Sequence, residues 1–382
     1  MREVDLAVVG AGPAGLTAAI EGAKRGCSTV VVDMNPHPGG QLIKQIHKFF
    51  GSREHRAGTR GIEIADTLFH EAESTGVEVM VGAEVYAIHD STLEVAQTFG
   101  EDSPILPSKE ATTSHSRPLS IVARRIVLAM GGAENALNFP GWTLPGVMGA
   151  GAAQTMINLW RVLPGERILM VGAGNVGLIV SYQLMQAGGE VVAVIEAAPR
   201  IAGYGVHAAK ISRAGVPILT SHTIVGASGE SRVERAVIAK VDPSWRIVPG
   251  SEEELEVDTI CIAVGLRPNA RLASLAGCKL HYSPSLGGWV PIHNSRMETT
   301  VPRIYIAGDL SGVEEASTAL EEGRLAGICA AASLSKERAG DPEEIKAIER
   351  RLLSLRSGPF CQRRQDAKQE LIGIAETQCP KQ

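Results

Sequence analysis

The chain has 382 residues, of which 44% are hydrophobic and 21% charged, and its formal net charge is -5. This length predicts two domains of ordinary size, and this composition excludes disorder over most of the chain. The 42 glycines and the low aromatic content of 4% favour an α/β protein with many tight turns over an all-β sandwich. The small negative charge and the lack of a basic stripe argue against nucleic-acid binding.

The cysteines are scattered and form no CxxC pair or Cys/His cluster. This spacing argues against a disulfide framework, a structural zinc site and an Fe–S cluster bound by this chain. No apolar stretch reaches the ~18 residues that cross a bilayer, and the first apolar run ends at Gly10 without a cleavage site. We therefore expect a cytoplasmic protein without a bound metal. The six cysteines are Cys27, Cys261, Cys278, Cys329, Cys361 and Cys379.

A strand pattern over Val4–Val9 leads directly into the run Gly10-Ala11-Gly12-Pro13-Ala14-Gly15. A helical stretch and a second apolar run, Thr29–Val32, follow, and Asp33 closes that run. Glycines at this spacing permit a tight turn, close approach of a pyrophosphate and close packing of helix on strand. The helix N-terminus attracts the pyrophosphate, and the acid accepts hydrogen bonds from a ribose. The segment therefore predicts a dinucleotide-binding unit.

The same pattern occurs a second time. Arg167–Val171 leads into Gly172-Ala173-Gly174-Asn175-Val176-Gly177, and a strand over Val191–Ile195 closes on Glu196. A single GxGxxG is a weak signal, but two copies, each with a strand before it and an acid about 20 residues later, are a strong one. A purely structural role for both glycine turns is the less favoured alternative.

Three further motifs occur in a fixed order: Gly39-Gly40-Gln41, strands that end in glycine at Ile126–Gly132 and Ile260–Gly265, and Ile304–Asp309 before a helix-like run from about 314 to 332. With these motifs, residues 3–333 resemble the flavoproteins with two dinucleotide-binding domains, typified by thioredoxin reductase and the pyridine nucleotide–disulfide reductases. The resemblance departs at Met130, where relatives usually have Thr.

This resemblance implies an α/β fold with two Rossmann-like domains and with FAD and NAD as cofactors. The NAD domain, 146–267, is expected to be inserted into a discontinuous FAD domain, 1–145 and 268–382. The residues that the resemblance assigns to FAD are Gly10, Gly12, Pro13, Ala14, Gly15, Asp33, Gly40, Gln41, Gly131, Gly308, Asp309, Ala316 and Ser317. Those that it assigns to NAD are Gly172, Gly174, Asn175, Val176, Gly177, Glu196 and Gly265.

The acid of the second motif indicates the choice of nicotinamide cofactor. A carboxylate at Glu196 repels the 2′-phosphate of NADP and bonds the free 2′-hydroxyl of NAD. Arg200 could reach a phosphate, but a solvated loop arginine is the favoured interpretation. The sequence thus favours NAD.

The sequence has no redox dithiol, which argues against disulfide reduction. The stretch Phe139–Met148 resembles FAD subunits of heteromeric dehydrogenases, such as those of sarcosine oxidase, opine oxidase, hydrogen cyanide synthase and dye-linked proline dehydrogenase. The chain also resembles the flavin subunits of phenylglyoxylate dehydrogenase and tungsten-dependent aldehyde oxidoreductase. These resemblances imply a subunit that exchanges hydride between NAD(H) and flavin and electrons with an Fe–S partner, with an aldehyde or oxo acid as one candidate substrate. A flavin subunit of an amine or amino-acid dehydrogenase and a non-catalytic redox sensor are the alternatives.

Other segments are less informative. His47 is a candidate acid/base residue, although a structural or cofactor-bonding role is favoured because hydride transfer to a flavin needs no side-chain proton donor. Phe49 and Phe50 are either core residues or part of a contact surface. The stretch Gln97–Arg117 is interpreted as a surface insertion. The charged tail from Pro342 onward contains a helix candidate, Glu343–Leu355, and is either a partner-docking surface or a solvated helix.

Overall fold

The computed structural model describes residues 2–49, 51–97, 117–358 and 361–378. Two compact units make up the chain, unit 1 from Met1–Ala133 and Arg267–Gln382, and unit 2 from Glu134–Leu266. Unit 1 contains a mixed sheet and unit 2 a parallel sheet, each with helices attached, and unit 2 is inserted in the chain between the two segments of unit 1. The expected α/β fold with two Rossmann-like sheets is therefore confirmed.

Unit 1 is built on a mixed sheet with the strand order β3-β2-β1-β6-β5-β4, and β19 also pairs with β6. The strands of unit 1 are β1 (Arg2–Val9), β2 (Thr29–Val32), β3 (Glu78–Met80), β4 (Ala83–His89), β5 (Thr92–Gln97), β6 (Arg117–Leu128), β17 (Leu280–Ser283), β18 (Gly288–Pro291) and β19 (Ile304–Ile306). Of these, β17 and β18 pair with each other in a separate two-stranded sheet. The helices of unit 1 are α1 (Pro13–Lys24), α2 (Gly61–Ser74), α6 (Arg271–Leu275), α7 (Ala316–Ala332), α8 (Pro342–Leu355) and α9 (Gln362–Gln378).

The central strands of unit 1 are apolar because they are buried on both faces of the sheet. All four residues of β2 are buried, and β1 runs parallel to both β2 and β6 with Val9 opposite Val32 and Leu128. Parallel strands covered on both faces read as continuous Val/Ile/Leu runs. This register brings the carboxyl ends of β1, β2 and β6 to one edge of the sheet, where nucleotides bind in such folds.

Two helices of unit 1 pack closely through glycine. A Cβ on Gly323 in α7 would stand 2.2 Å from the carbonyl oxygen of Ala14, and one on Gly327 would stand 2.3 Å from that of Ala18. Small residues at this spacing let helix backbones approach, and any side chain here would force α1 and α7 apart. The close packing fixes the start of α7 relative to the first glycine turn.

Unit 2 has a parallel sheet with the order β11-β10-β9-β15-β8 and an antiparallel sheet with the order β12-β13-β14. Its strands are β8 (Val147–Gly149), β9 (Arg167–Val171), β10 (Glu190–Glu196), β11 (Ile218–Thr220), β12 (His222–Ser228), β13 (Arg235–Lys240), β14 (Glu253–Glu256) and β15 (Thr259–Ile262). Its helices are α3 (Ala150–Asn158), α4 (Asn175–Gln186) and α5 (Gly205–Arg213). The short strands β7 (Gly132–Glu134) and β16 (Leu266–Pro268) contain the two division points of the chain.

The first division lies earlier in the chain than the sequence suggested, after Ala133 and not after residue 145. The reason is apolar packing: Phe139 is 5% exposed and, with Leu144, belongs to a core shared with strands of unit 2. The assignment of unit 1 to FAD and of unit 2 to NAD remains a prediction.

The tail folds onto unit 1. The charged helix expected near its start is α8, which buries Ile348 and Leu352, and α9 buries Leu371 and Ala375. The tail is therefore more than a solvated helix, because both helices place side chains in the core. Residues 98–116 of the expected surface insertion lie outside the described residues.

Candidate functional site

The first glycine turn joins the end of β1 to the start of α1. Gly10 has a φ of +105°, and a Cβ on it would stand 2.4 Å from the carbonyl oxygen of Ala129. A Cβ on Gly15 would stand 1.8 Å from the carbonyl oxygen of Gly10. No side chain fits at either position, since atoms in a packed interior do not approach so closely. The chain's own packing therefore requires these two glycines.

The middle glycine of this turn has a different environment. The nearest atom that a Cβ on Gly12 would meet is the Cα of Gly40, at 3.9 Å. Pro13 begins α1, where its fixed φ suits the helix and its missing N–H removes no hydrogen bond. The open space in front of Gly12 faces a helix N-terminus, which is the arrangement that binds phosphate. The turn therefore fits the pyrophosphate of a dinucleotide.

Two distant glycines close the sides of this turn. Gly40 has a φ of +56°, and a Cβ on it would stand 2.8 Å from the Cα of Gly12. Gly308, at a φ of +71°, would place a Cβ 2.9 Å from that of Ala14. Gln41 is exposed beside this turn. The structure thus brings together residues that the sequence analysis assigned to FAD from three separate motifs.

Asp33 lies at the end of β2 and is 6% exposed. Its Oδ2 accepts a hydrogen bond from the N–H of Ala11 at 2.6 Å, and its Oδ1 accepts one from the N–H of Asn35 at 2.7 Å. The Nδ2 of Asn35 also donates to Oδ1, at 2.8 Å. A carboxylate has about four acceptor sites, so these bonds leave capacity for a ribose hydroxyl. They fix the carboxylate beside the glycine turn, and its contact with a ribose remains a prediction.

Asp309 follows β19 and lies next to Gly308. Burial raises the pKa of its carboxyl to about 6, and Oδ1 accepts a hydrogen bond from the N–H of Glu314 at 3.3 Å. A Cβ on Gly132 would stand 3.6 Å from the Cβ of Asp309, and Gly131 has a φ of +66°. The end of the β6 segment and the Gly308–Asp309 turn therefore lie side by side, as the shared FAD assignment requires.

The helix after this turn begins at Ala316, two residues later than the pattern suggested. Glu315 is still extended, with φ -78° and ψ 157°, because the segment from Asp309 forms its own turn. Ala316 is half-buried and Ser317 is buried. The N–H groups of a first helical turn have no acceptor within the helix and carry partial positive charge. This helix end is thus suited to an electron-rich group such as a reduced flavin.

The second glycine turn repeats the first in unit 2. Gly172 has a φ of +111°, and a Cβ on it would stand 2.3 Å from the carbonyl oxygen of Ala263. A Cβ on Gly177 would stand 2.0 Å from the carbonyl oxygen of Gly172, whereas one on Gly174 would meet nothing within 4 Å. Gly174 therefore leaves the same open space before a helix N-terminus, here that of α4.

A glycine that the sequence analysis missed lies over the start of α4. The N–H of Gly203 donates to the carbonyl oxygen of Ala173 at 3.0 Å, and a Cβ on Gly203 would stand 3.0 Å from the backbone nitrogen of Asn175. The N–H of Tyr204 donates to the Oδ1 of Asn175 at 2.8 Å, and Val176 is 39% exposed. The sequence signal that could have identified Gly203 is that a glycine follows the strand-end acid by a few residues in both copies of the motif.

Glu196 holds the turn of unit 2 as Asp33 holds that of unit 1. Its Oε2 accepts from the N–H of Ala173 at 3.0 Å, and its Oε1 accepts from the N–H of Ala198 at 2.9 Å. Arg200 is exposed. Gly265 has a φ of +106° and lies just after β15. The residues assigned to NAD are thus gathered around one turn, and their contact with the nucleotide remains a prediction.

The candidate acid/base residue His47 is half-buried and stacks on Phe49, with ring centroids 5.7 Å apart. Phe50 lies outside the described residues. A histidine that the sequence analysis did not single out, His55, is buried and has its Nε2 3.1 Å from Oε1 of Glu321. The signal for this pair was the unusual Glu321-Glu322 in an otherwise apolar helix.

The described cysteines are free thiols, and burial raises the pKa of Cys261 and of Cys329 to about 12. Cys379 lies outside the described residues. Within residues 2–49, 51–97, 117–358 and 361–378, no three His, Cys, Asp or Glu side chains are grouped to hold a metal ion. In the same residues, no helix is long and apolar enough to cross a bilayer. The free cysteines are Cys27, Cys261, Cys278, Cys329 and Cys361.

Two glycine turns of matched geometry, each with a strand-end acid, define the class of oxidoreductases that hold two dinucleotides. The chain belongs to the pyridine nucleotide-disulphide oxidoreductase family, whose model matches residues 4–323. Members of this family bind FAD and NAD(P), which confirms the expected cofactor classes.

Characterised relatives are subunits of larger enzymes. The chain is 28% identical over 346 residues to an opine oxidase subunit of Agrobacterium tumefaciens, covering 86% of this chain and 66% of that protein. It is 27% identical over 361 residues to the HcnB subunit of hydrogen cyanide synthase from Pseudomonas aeruginosa, covering 90% and 73%. The alpha subunit of sarcosine oxidase from Corynebacterium is 28% identical, with 87% and 33% covered. The chain thus spans about two thirds of the length of the opine oxidase subunit.

Solved structures share the fold. The thioredoxin reductase of T. acidophilum has a TM-score of 0.67 at 20% identity, covering 88% of this chain and 100% of that one. The L-proline dehydrogenase of P. horikoshii has a TM-score of 0.66 at 20% identity, covering 92% and 59%. At this identity the likeness concerns the fold alone.

Proposed function

We propose that this chain is the FAD- and NAD-binding subunit of a heteromeric dehydrogenase. It exchanges a hydride between NAD(H) and the flavin, and electrons then pass between the flavin and an Fe–S-containing partner subunit. The observation that carries this proposal is the second glycine turn, which repeats the glycine contacts of the first and has its own strand-end acid, Glu196. A protein that used FAD alone would not need a second complete nucleotide turn.

Unit 1 is proposed to hold FAD. The turn from Gly10 to Gly15 would take the pyrophosphate, Asp33 the adenosine ribose, and Asp309 the ribityl chain. The N-terminus of α7, at Ala316 and Ser317, would stabilise negative charge that develops on the reduced flavin. The flavin itself supplies the redox chemistry; these residues bind and orient it.

Unit 2 is proposed to hold NAD in preference to NADP. Both carboxylate oxygens of Glu196 already accept backbone hydrogen bonds, which fixes the negative charge where a 2′-phosphate would lie. The exposed Arg200 makes no described contact with this carboxylate that would offset the charge. The nicotinamide of the bound cofactor would exchange hydride with the flavin without a side-chain proton donor.

The electron partner is proposed to lie on another chain. Burial raises the pKa of Cys261, Cys278 and Cys329, so these thiols are protonated and unreactive at neutral pH. This supports a route other than a dithiol in this chain. The relatives named as subunits of opine oxidase, hydrogen cyanide synthase and sarcosine oxidase support assembly into a complex. An aldehyde or oxo acid, oxidised on a partner, is the substrate class proposed, and a cytoplasmic location is proposed with it.

A second candidate has support from the same names. Opine oxidase, sarcosine oxidase and, by fold, L-proline dehydrogenase act on amines or amino acids. The chain would then be the flavin subunit of an amine or amino-acid dehydrogenase.

Rapid mixing of the purified holoprotein with each electron donor separates these candidates. Loss of flavin absorbance is followed after addition of NADH, NADPH, sarcosine, proline or an opine. The proposal expects reduction by NADH within seconds and none by the amines. Reduction by an amine alone supports the second candidate. A flavin that none of these donors reduces, with or without co-purifying subunits, contradicts both and indicates a non-catalytic redox sensor.

A further inference from the structure

Helix α7 carries two adjacent glutamates in its interior, and each makes contacts with a different part of unit 1. Glu321 and Glu322 are 0% and 1% exposed. Glu321 bonds His55 and the guanidinium groups of Arg324 and Arg351. Glu322 points instead toward the Gly308–Asp309 turn. Two carboxyl groups buried in the middle of an apolar helix persist only where opposite charges or hydrogen-bond donors surround them.

The contacts of Glu322 link its carboxylate to the FAD turn. Its Oε2 accepts a hydrogen bond from the N–H of Gly308 at 3.0 Å and another from the hydroxyl of Ser311 at 2.6 Å. These bonds fix the backbone next to Asp309. Gly308 is also the residue that packs against Ala14 in the first glycine turn. Any movement of Glu322 is therefore passed directly to residues assigned to FAD.

The charge of Glu322 is balanced by the tail. The Nζ of Lys368 in α9 lies 2.7 Å from Oε1 of Glu322 and also donates to the hydroxyl of Ser311. Arg356, just after α8, donates to the same Oε1 and to the carboxylate of Glu314. Although burial opposes it, these two cations hold the pKa of Glu322 down to about 2. Lys368 itself is 2% exposed.

A buried lysine is an unusual means of attaching a surface helix. Removing an ammonium group from water is costly, and apolar side chains attach helices without that cost. Elsewhere α9 uses such side chains: Leu371 and Ala375 pack against Leu286 and Val290. Lys368 is thus not needed to dock the helix, and its contacts indicate a more specific task.

We propose that Lys368 and Arg356 are positioning residues for FAD, which act through Glu322 on the Gly308–Asp309 turn. The inference rests on the proposed FAD site of unit 1 and assigns the tail a part in it. The tail neutralises the carboxylate that holds this turn, so that the turn keeps the geometry that receives the ribityl chain. Without the cations, the unpaired carboxylate draws in water or a proton and releases the N–H of Gly308.

The test measures FAD binding to full-length apoprotein by quenching of flavin fluorescence. Lys368→Met is expected to weaken FAD binding by about tenfold or more, since it leaves a buried carboxylate with half of its positive partners. Lys368→Arg, which keeps the charge, is expected to bind within about threefold of the wild type. Lys368→Gln keeps a donor, is expected to lie between these variants, and replaces Lys368→Met if that protein does not fold.

Two further variants separate positioning from simple stabilisation. Leu371→Ala removes an apolar contact of the same helix, so it lowers the melting temperature but is expected to leave FAD affinity within about threefold. The double variant Lys368→Met with Glu322→Gln removes both charges, and it is expected to bind FAD more tightly than Lys368→Met alone. The amide oxygen that replaces the carboxylate in that double variant can still accept from the N–H of Gly308.

The outcomes are distinct. Equal loss of FAD affinity in Leu371→Ala and Lys368→Met at matched melting temperature overturns the inference, as does a double variant no better than Lys368→Met. Wild-type affinity in Lys368→Met also overturns it. A wild-type apoprotein that does not take up FAD at all contradicts the proposed function itself.

Discussion

The glycine turns of units 1 and 2 are the same structure built twice. In each, the N–H of the alanine after the first glycine donates to the strand-end acid, Ala11 to Asp33 and Ala173 to Glu196. In each, the last glycine of the motif faces the first at a distance that no Cβ could occupy. The same local pattern produces the same local geometry because its contacts lie within one βαβ segment.

The surroundings of the two turns differ. In unit 1, Gly308 covers Ala14, which is only 5% exposed, and the buried charges of α7 and the tail lie behind Gly308. In unit 2, Gly203 covers Asn175, and Val176 stays 39% exposed. A turn enclosed by its own unit suits a cofactor that stays bound, and a more open one suits a cofactor that exchanges. The neighbours of a glycine motif, more than the motif itself, therefore make one turn enclosed and the other open.

The largest effect is expected from the last glycine of each motif. Gly15→Ala and Gly177→Ala should each lower the free energy of unfolding by about 3 kcal/mol or more, because a Cβ would overlap a backbone carbonyl. Urea denaturation of each apoprotein, followed by circular dichroism, measures this loss. If only one of the two variants is destabilised, the turns are not equivalent.

The middle glycines provide the matched control. Gly12 and Gly174 have φ values of -76° and -74°, which any residue adopts, and a Cβ would meet open space. Gly12→Ala and Gly174→Ala should change the free energy of unfolding by no more than about 1 kcal/mol. Their cofactor affinity should nevertheless fall, since the methyl group occupies the space proposed for the pyrophosphate.

A smaller effect is expected at Glu196, because this acid is proposed to meet the ribose of NAD, whereas Asp33 is proposed to meet the ribose of FAD. Glu196→Arg should shift the ratio of NADH to NADPH affinity toward NADPH by about tenfold or more, because a repulsive charge becomes a phosphate ligand. Titration of the holoprotein with each nucleotide measures the two dissociation constants.

Glu190→Arg is the control for this substitution. Glu190 lies at the opposite end of β10 and is exposed, so it should leave the ratio unchanged. Unaltered affinities for both nucleotides in Glu196→Arg would show that the second turn does not hold the adenosine ribose of NAD.

The smallest effect concerns the pH dependence of unit 1. The pKa of Asp309 is raised to about 6 by burial, with Glu322 and Glu314 raising it further and Lys368 opposing them. The folded apoprotein therefore binds a proton more tightly than the unfolded chain between the usual pKa of about 4 and pH 6. The contribution of this carboxyl to the free energy of unfolding should therefore fall by about 1–2 kcal/mol as the pH rises through this range.

Asp309→Asn isolates this contribution. The variant lacks the titrating carboxyl, so the free energy of unfolding of the wild type minus that of the variant should fall by about 1–2 kcal/mol between pH 4 and pH 6. Urea denaturation at each pH measures both values. A difference that does not change with pH would mean that the carboxyl is not desolvated in the folded state. The wild type and the variant should be compared without FAD, which changes the surroundings of Asp309.

Much of the fold could be predicted from the sequence because its signals are local. The strand Thr29–Val32 was predicted at its observed bounds, and the helix expected from Glu343 to Leu355 begins one residue earlier, at Pro342. The start of α7 was set two residues too early because the chain stays non-helical from Gly312 to Glu315, after the turn that follows Asp309 has ended. The glycine a few residues after each acid was a signal for Gly203, but its contact with Asn175 could not be predicted, since it depends on how a loop folds back over a helix.

The amino-acid sequence alone predicted two strand–turn–helix units and named their glycines and strand-end acids, because each motif is complete within a short segment. The contacts of Lys368 and Arg356 in the tail with Glu322, behind Gly308, became visible in the folded chain and not before. These residues come from separate parts of the chain, and neither their spacing nor their periodicity predicts which of them form ion pairs. Buried charges find partners through the packing of whole elements, which a linear pattern does not contain.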